Sequence, residues 1–239
     1  LENNEDFSES IGNVTFQITT SANQKNNSKG NISTIDLGDC EGILKETYQI
    51  NDTLSLIIFK IDYKSPDTLM PIVGYEIYHP LNFSKLDLSY CDNTSITINY
   101  PTIINEQKIY QYNPYSDYYT DDCSSYSTDN GTDILLYDRK KEYVNNNLSL
   151  CENNCTYRDY DKDNKQSSCK CNVKMNMESI SNIISNPNKL SNDFNLNEIN
   201  SNYFNYVKCT KSLFSVNGLI KNISSYILSF FLASFYFQL

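Results

Sequence analysis

Four cysteines crowd one short stretch, as Cys151-Glu152-Asn153-Asn154-Cys155 and then Cys169-Lys170-Cys171. Thiols at such density either hold a metal or cross-link the chain, and each choice restricts the folds available. A structural zinc site needs two knuckles, each with two to four residues between its cysteines. The first pair fits, but the second has a single residue between its cysteines, and His79 is the only histidine. Asp159, Asp161 and Asp163 alternate as in the opening of an EF-hand loop. That loop needs Gly at its sixth position and a bidentate Glu at its twelfth, where this chain has Asn164 and Lys170. The three aspartates are therefore weak calcium candidates, and an acidic, solvated hairpin tip is the favoured reading.

Disulfides remain. The chain has 8 cysteines, an even number: Cys40, Cys91, Cys123, Cys151, Cys155, Cys169, Cys171 and Cys209. A hairpin between Cys155 and Cys169 brings the two close pairs together. The Cys-x-Cys step is expected to send its thiols to alternate sides and so to two partners. Cys155 with Cys169, and Cys171 with Cys151 or Cys209, are the pairings this suggests. A short echo, Ile35-Asp36-Leu37-Gly38-Asp39-Cys40 against Leu86-Asp87-Leu88-Ser89-Tyr90-Cys91, suggests Cys40 and Cys91 as another pair. A disulfide framework places the protein in an oxidising compartment.

Two further features agree with that compartment. Asn-x-Ser/Thr sequons occur at Asn13, Asn26, Asn31, Asn51, Asn82, Asn93, Asn130, Asn147, Asn154 and Asn222, each an acceptor for N-linked glycan in a secreted chain. Beyond Lys221 no charged residue follows, and the tail is apolar and Phe-rich, ending ILSFFLASFYFQL. At 1.5 Å per residue this tail spans about 27 Å as a helix, close to a bilayer's hydrocarbon thickness. It reads as a transmembrane helix, cut short, or as a lipid-anchor signal with Ser215, Asn217 and Gly218 as the small site. Leu1 to Ser10 has neither the basic start nor the apolar run of a signal peptide, so the chain reads as a fragment.

The body is expected to be mainly β, an antiparallel sandwich-like sheet pair. Leu54–Tyr63 is rich in β-branched and aromatic residues. Pro71–Tyr78, Ser95–Tyr100, Lys108–Tyr112 and Asp133–Tyr137 read as further strands, the last following the turn signal Asn130-Gly131. Asn13–Thr20 alternates as an edge strand, and Glu41–Tyr48 is a short helix with Ile43, Leu44 and Tyr48 on one face. This divides the chain into a polar amino-terminal segment (1–30), a β-rich extracellular domain (31–149), a small disulfide-rich hairpin module (150–172), an Asn/Ser-rich stalk (173–218) and the C-terminal apolar helix (219–239).

Leu150-Cys151-Glu152-Asn153-Asn154-Cys155-Thr156-Tyr157, with Tyr160-Asp161, Lys165 and Cys169-Lys170-Cys171, resembles the membrane-proximal cysteine-rich modules of large surface proteins of single-celled eukaryotes. Cys209, Leu213-Phe214, Gly218-Leu219-Ile220-Lys221-Asn222 and Ser225-Tyr226-Ile227-Leu228 look like the run of such proteins into their membrane helix. The hairpin also resembles the second half of an EGF-like module, without the Gly and aromatic residue that follow its last cysteines. The resemblance implies a location and a topology, and no catalytic residues.

Composition excludes other classes. Net charge is -10, from 19 basic and 29 acidic residues, the wrong sign for a nucleic-acid surface. His79 has no plausible triad around it, and 7 glycines make no phosphate loop. No catalysis and no cofactor are expected. The function so expected is that of an extracellular spacer in a single-pass, plasma-membrane glycoprotein. One alternative is adhesion to a protein or glycan ligand through the Tyr-rich loop 108–126, using Tyr110, Tyr112, Tyr115, Tyr118 and Tyr119, since tyrosines on loops make large contacts at low entropy cost. The other is a carboxylate-based hydrolase, which requires paired acids in a cleft.

Overall fold

The structure is a computed structural model of the 239-residue chain. It describes residues 5–26, 31–123, 126–127, 134–176, 193–194, and five helical positions at 223, 226, 227, 230 and 234. Two compact units emerge: Leu1–Pro114 with Glu142–Phe194, and Tyr115–Lys141 with Asn195–Leu239.

The first unit holds two four-stranded antiparallel sheets. One has the order β1 (Phe7–Ile11), β2 (Val14–Thr20), β4 (Ile57–Tyr63), β5 (Ile72–Tyr78), and the other β3 (Thr34–Asp36), β6 (Ser95–Pro101), β8 (Gln166–Asn172), β7 (Cys155–Asp161). Their inner faces share one core. Ile58, Val73, Tyr75 and Ile77 come from the first sheet, and Ile35, Ile96, Ile98, Tyr100, Cys155, Tyr157, Cys169 and Cys171 from the second. The alternation of β6 is plain, with Ile96, Ile98 and Tyr100 inward and their neighbours half-exposed. This arrangement confirms the mainly β, antiparallel expectation.

Several expected boundaries move. Residues 1–30 are not a separate segment. β2 is an interior strand, paired to β4 from Val14↔Tyr63 to Thr20↔Ile57, and β1 forms the sheet edge. A two-residue turn joins β1 to β2, and Gly12 sits there at φ 59°, the left-handed conformation that a primed hairpin turn demands. The cysteine hairpin is not a separate module either, because β8 pairs with β6 along its whole length. Lys108–Tyr112 is not a strand. Glu106–Gln111 is 3₁₀-helical, opened by the Asn105 side chain accepting from the Gln107 N–H at 3.0 Å. Ile134 and Leu135 are irregular, and the segment beyond them is helical, Leu136–Asn145. Asn130-Gly131 lies outside the described residues.

The helix expected at Glu41–Tyr48 is present as Asp39–Thr47. The echo has a structural meaning. In both copies an Asp side chain accepts from the backbone N–H two residues on, Asp36 from Gly38 at 3.1 Å and Asp87 from Ser89 at 2.9 Å. The flanking Ile35, Leu37, Leu86 and Leu88 are buried. Each copy then enters a helical turn that carries its cysteine inward, and Cys40 is bonded to Cys91, as expected.

The second unit is built around aromatic residues. Within it, the Arg139 guanidinium lies over the rings of Tyr118 (5.3 Å) and Tyr126 (5.1 Å), and its Nη1 donates to the Tyr118 carbonyl at 2.7 Å. Most of the expected stalk and terminal helix lies outside the described residues. Among the described residues no helix is long and apolar enough to cross a membrane. The described positions Ile223, Tyr226, Ile227, Phe230 and Ser234 are helical.

Candidate functional site

The disulfide hairpin places the chain's chemistry. In its ladder Cys155 stands opposite Cys171, and Cys169 stands opposite Tyr157. Cys155 therefore bonds Cys171, across a Cα–Cα distance of 4.0 Å. Cys169 turns to Cys151, which precedes the hairpin, at 5.9 Å. The expected Cys155–Cys169 pairing is corrected by register, since it would need the strands to slip by two residues. The alternate-sides expectation is corrected too. Residues two apart on a strand share a face, and both thiols of Cys169 and Cys171 point into the core, reaching different partners because they sit at different levels of the ladder. Cys123 is also disulfide-bonded, and Cys209 lies outside the described residues. With the described cysteines all oxidised, none is available as a zinc ligand.

A bulge shapes the same hairpin. The register shifts between Tyr157 and Asp159, leaving Arg158 as the extra residue. The shift lets Tyr157 and Tyr160, three apart, both point inward. Burial pushes the Tyr157 phenol up to about 12. At the tip, Asp161 spends its carboxylate on the turn, accepting from the backbone N–H groups of Asp163 (2.9 Å) and Asn164 (3.0 Å) and from the Asn164 side chain (2.7 Å). The backbone hydrogen bond from Asn164 leads the contacts that hold it below the usual carboxylate range. Asp159 accepts from the Tyr160 N–H at 2.8 Å. No group of metal-ligating side chains occurs among the described residues; of the three calcium candidates, Asp161 holds the turn and Asp159 lies within β7.

Two buried charge networks lie between the sheets, and the sequence reading missed both. Glu152 accepts from the Val73 N–H (2.7 Å), the Tyr100 hydroxyl (3.2 Å) and the Lys174 ammonium (2.6 Å). It thereby ties β5 of one sheet to β6 of the other. Burial, followed by the nearby Glu152 charge, holds the Tyr100 phenol well above its ordinary value. On the neighbouring strand β4, where Asp62 stands opposite Val73, Lys60 is fully buried and donates to the Ser33 carbonyl and hydroxyl. Its neighbour Asp62, 3.6 Å away, accepts from the Ser33 N–H and hydroxyl, each at 2.7 Å. Burial pushes the Lys60 ammonium below its ordinary value, and the Asp62 charge opposes the shift. A signal for this pair existed. Lys60 and Asp62 share the parity of core-facing Ile58 in the run Ile57–Tyr63, so a charge there must point inward.

Beside the hairpin lies an open polar cleft of about 530 Å³, lined by Ser95, Asn153, Asn154, Cys155, Thr156, Lys170 and Asn172. Asn154 holds the turn that opens β7, at φ 63°. Its backbone carbonyl accepts from the Asn172 N–H at 3.0 Å, and the Cys155 N–H donates to the Glu152 carbonyl at 3.1 Å. No carboxylate lines the cleft, although the chain has 29 acidic residues. The paired acids that a glycosidase needs are therefore not gathered there.

The tyrosines divide. Tyr118 and Tyr119 are buried, their rings edge-to-face at 4.8 Å. Tyr112 packs partly buried against the core of the first unit. Tyr110 and Tyr115 are exposed, at 37% and 57%. The loop thus does not present its tyrosines together. His79 caps its own turn, with Nδ1 accepting from the Leu81 N–H at 3.1 Å. The sequon residues Asn13, Asn26, Asn31, Asn51, Asn82, Asn93, Asn147 and Asn154 are all exposed, while Asn130 and Asn222 lie outside the described residues. No protein-family model, no curated protein and no solved structure matches this chain.

Proposed function

We propose that this chain is a disulfide-stapled structural module of a cell-surface glycoprotein, holding other parts of that protein away from the membrane. The observation that carries the reading is the state of the cysteines. Three disulfides lie buried, one between two helical turns and two at the β7–β8 hairpin, and no described thiol is free. Such a framework is stable in an oxidising compartment and is reduced in a cytosol. The exposure of every described sequon asparagine supports glycosylation. The helical tail positions Ile223, Ile227 and Phe230 are exposed apolar residues, which supports docking of this end in a bilayer. The two buried charge networks satisfy structural groups, which supports a scaffold over an enzyme.

The test is the intact mass of protein isolated from the cells that make it, after alkylation with and without reduction. Labelling of eight thiols only after reduction is the expected result. Thiols that label in the native protein would place it in a reducing compartment and end the reading.

A further inference from the structure

We infer that Asn154 carries an N-linked glycan whose first sugars lie in the cleft beside it, an inference that rests on the extracellular reading above. Two independent observations meet at this residue. Asn154-Cys155-Thr156 is a sequon, and its asparagine is exposed at the mouth of the polar cleft. The cleft volume, about 530 Å³, falls within the range of pockets that hold a small ligand, roughly 300–1,000 Å³.

The lining suits an acetamido sugar. Asn153 and Asn172 offer carboxamides, Ser95 and Thr156 offer hydroxyls, and Lys170 offers an ammonium. The carboxamides and hydroxyls can each donate to the acetamido carbonyl and accept from sugar hydroxyls, and the ammonium adds a further donor. The cleft also has no aromatic platform, so a free oligosaccharide would gain little there. A sugar attached to Asn154 needs little intrinsic affinity, because the tether supplies a local concentration of order millimolar. The chemistry of the cleft therefore favours a covalently held glycan over a captured one.

Attachment forms one C–N bond, between Asn154 Nδ2 and the anomeric carbon of a lipid-diphosphate-linked oligosaccharide. The bond from that carbon to the diphosphate breaks, the diphosphate leaves on its lipid, and one amide proton passes to the transferase. In the folded chain Asn154 holds a left-handed backbone, which Asn tolerates better than other residues with a β-carbon.

The test has two parts. Site-resolved mass spectrometry of the protein from its own cells is expected to find glycan on the Asn154 peptide. Glycan on other sequons but not on Asn154 overturns this inference alone, whereas bare asparagine at every sequon overturns the glycoprotein reading with it. Then Lys170 is labelled with an amine-acylating reagent in the full chain and in Thr156→Ala, made in the same cells. This variant removes the sequon; because Thr156 itself lines the cleft opposite Lys170, both chains are also made in cells whose lipid-linked oligosaccharide synthesis is blocked, and the labelling difference between those unglycosylated chains, which is what the lost side chain alone causes, is subtracted. Lys170 is expected to label several-fold faster in the variant, and Lys162, exposed at the hairpin tip, equally in both. Equal labelling of Lys170 would show that the glycan projects away from the cleft and overturn its placement there.

Discussion

Removing the Cys40–Cys91 bond should destabilise the protein more than removing Cys151–Cys169, and chain entropy gives the size of the gap. Cys40–Cys91 closes a loop of 51 residues. In the chain-entropy account, its loss costs about 4.1 kcal/mol at 25 °C. Cys151–Cys169 spans 18 residues, but Cys155–Cys171 already ties the same hairpin. With that bond intact, the path from Cys151 to Cys169 is only about seven links, and the second cross-link adds about 2.4 kcal/mol. The four cysteines are all at most 1% exposed, so the packing lost on replacing each pair by Ala is similar and largely cancels in the comparison. The double variant C40A/C91A should therefore lie about 1.7 kcal/mol below C151A/C169A. With a urea slope of about 2 kcal/mol per molar, the midpoints separate by about 0.9 M. Equilibrium urea unfolding, followed by tyrosine fluorescence in this Trp-free chain and by circular dichroism, measures it. In a background lacking Cys155–Cys171, the loss of Cys151–Cys169 should grow to about 3.2 kcal/mol, because the full loop is restored. Equal or reversed costs would refute the reasoning and place the stabilisation in native packing around the hairpin.

Alkaline titration tests the buried phenols. Tyr75, Tyr100 and Tyr157 have folded-state values above the ordinary 10.0, all three chiefly through burial. Their stabilising contribution is complete below pH 10 and is lost as pH rises above it. Absorbance at 295 nm should show one phase near pH 10 and a later phase coincident with unfolding; a single phase with unchanged circular dichroism would contradict the burial. Glu152→Ala strands the Val73 N–H, the Tyr100 hydroxyl and the Lys174 ammonium, and should cost about 3–5 kcal/mol in urea unfolding. Glu152→Gln keeps an acceptor for Val73 and should cost less. Lys60→Met and Asp62→Asn should each destabilise, while the double variant loses less than the sum by about 0.5–3 kcal/mol. Strict additivity in that cycle would show the pair to be uncoupled.

The strands with β-branched alternation are legible in the amino-acid pattern itself. Ile57–Tyr63, Ile72–Tyr78 and Ser95–Pro101 lie within or beside the expected runs: the first two bury residues on both faces and read as nearly continuous β-branched and aromatic runs, while the third buries one face and alternates. β1 leaves no such signal, since all five of its residues are exposed. Lys108–Tyr112 carries the alternation without the burial, and the Asn105 cap draws it into a 3₁₀ turn. The candidate cleft is not legible at all. Its lining comes from residues 95, 153–156, 170 and 172, brought together only by the β6–β8–β7 ladder.

Residue identity alone determined the chemistry on offer: cysteines without zinc spacing, Asn-x-Ser/Thr sequons, a net negative charge and core-facing strands. Tertiary structure decided the partners. Cys155 met Cys171 because ladder pairing advances in steps of one residue per strand and the two fall on the same rung. Tyr160 turned inward because one bulged residue reversed the parity of β7. Glu152 became a buried tie because two sheets closed over it. Each of these outcomes depends on register between distant segments, a quantity that local propensity does not contain.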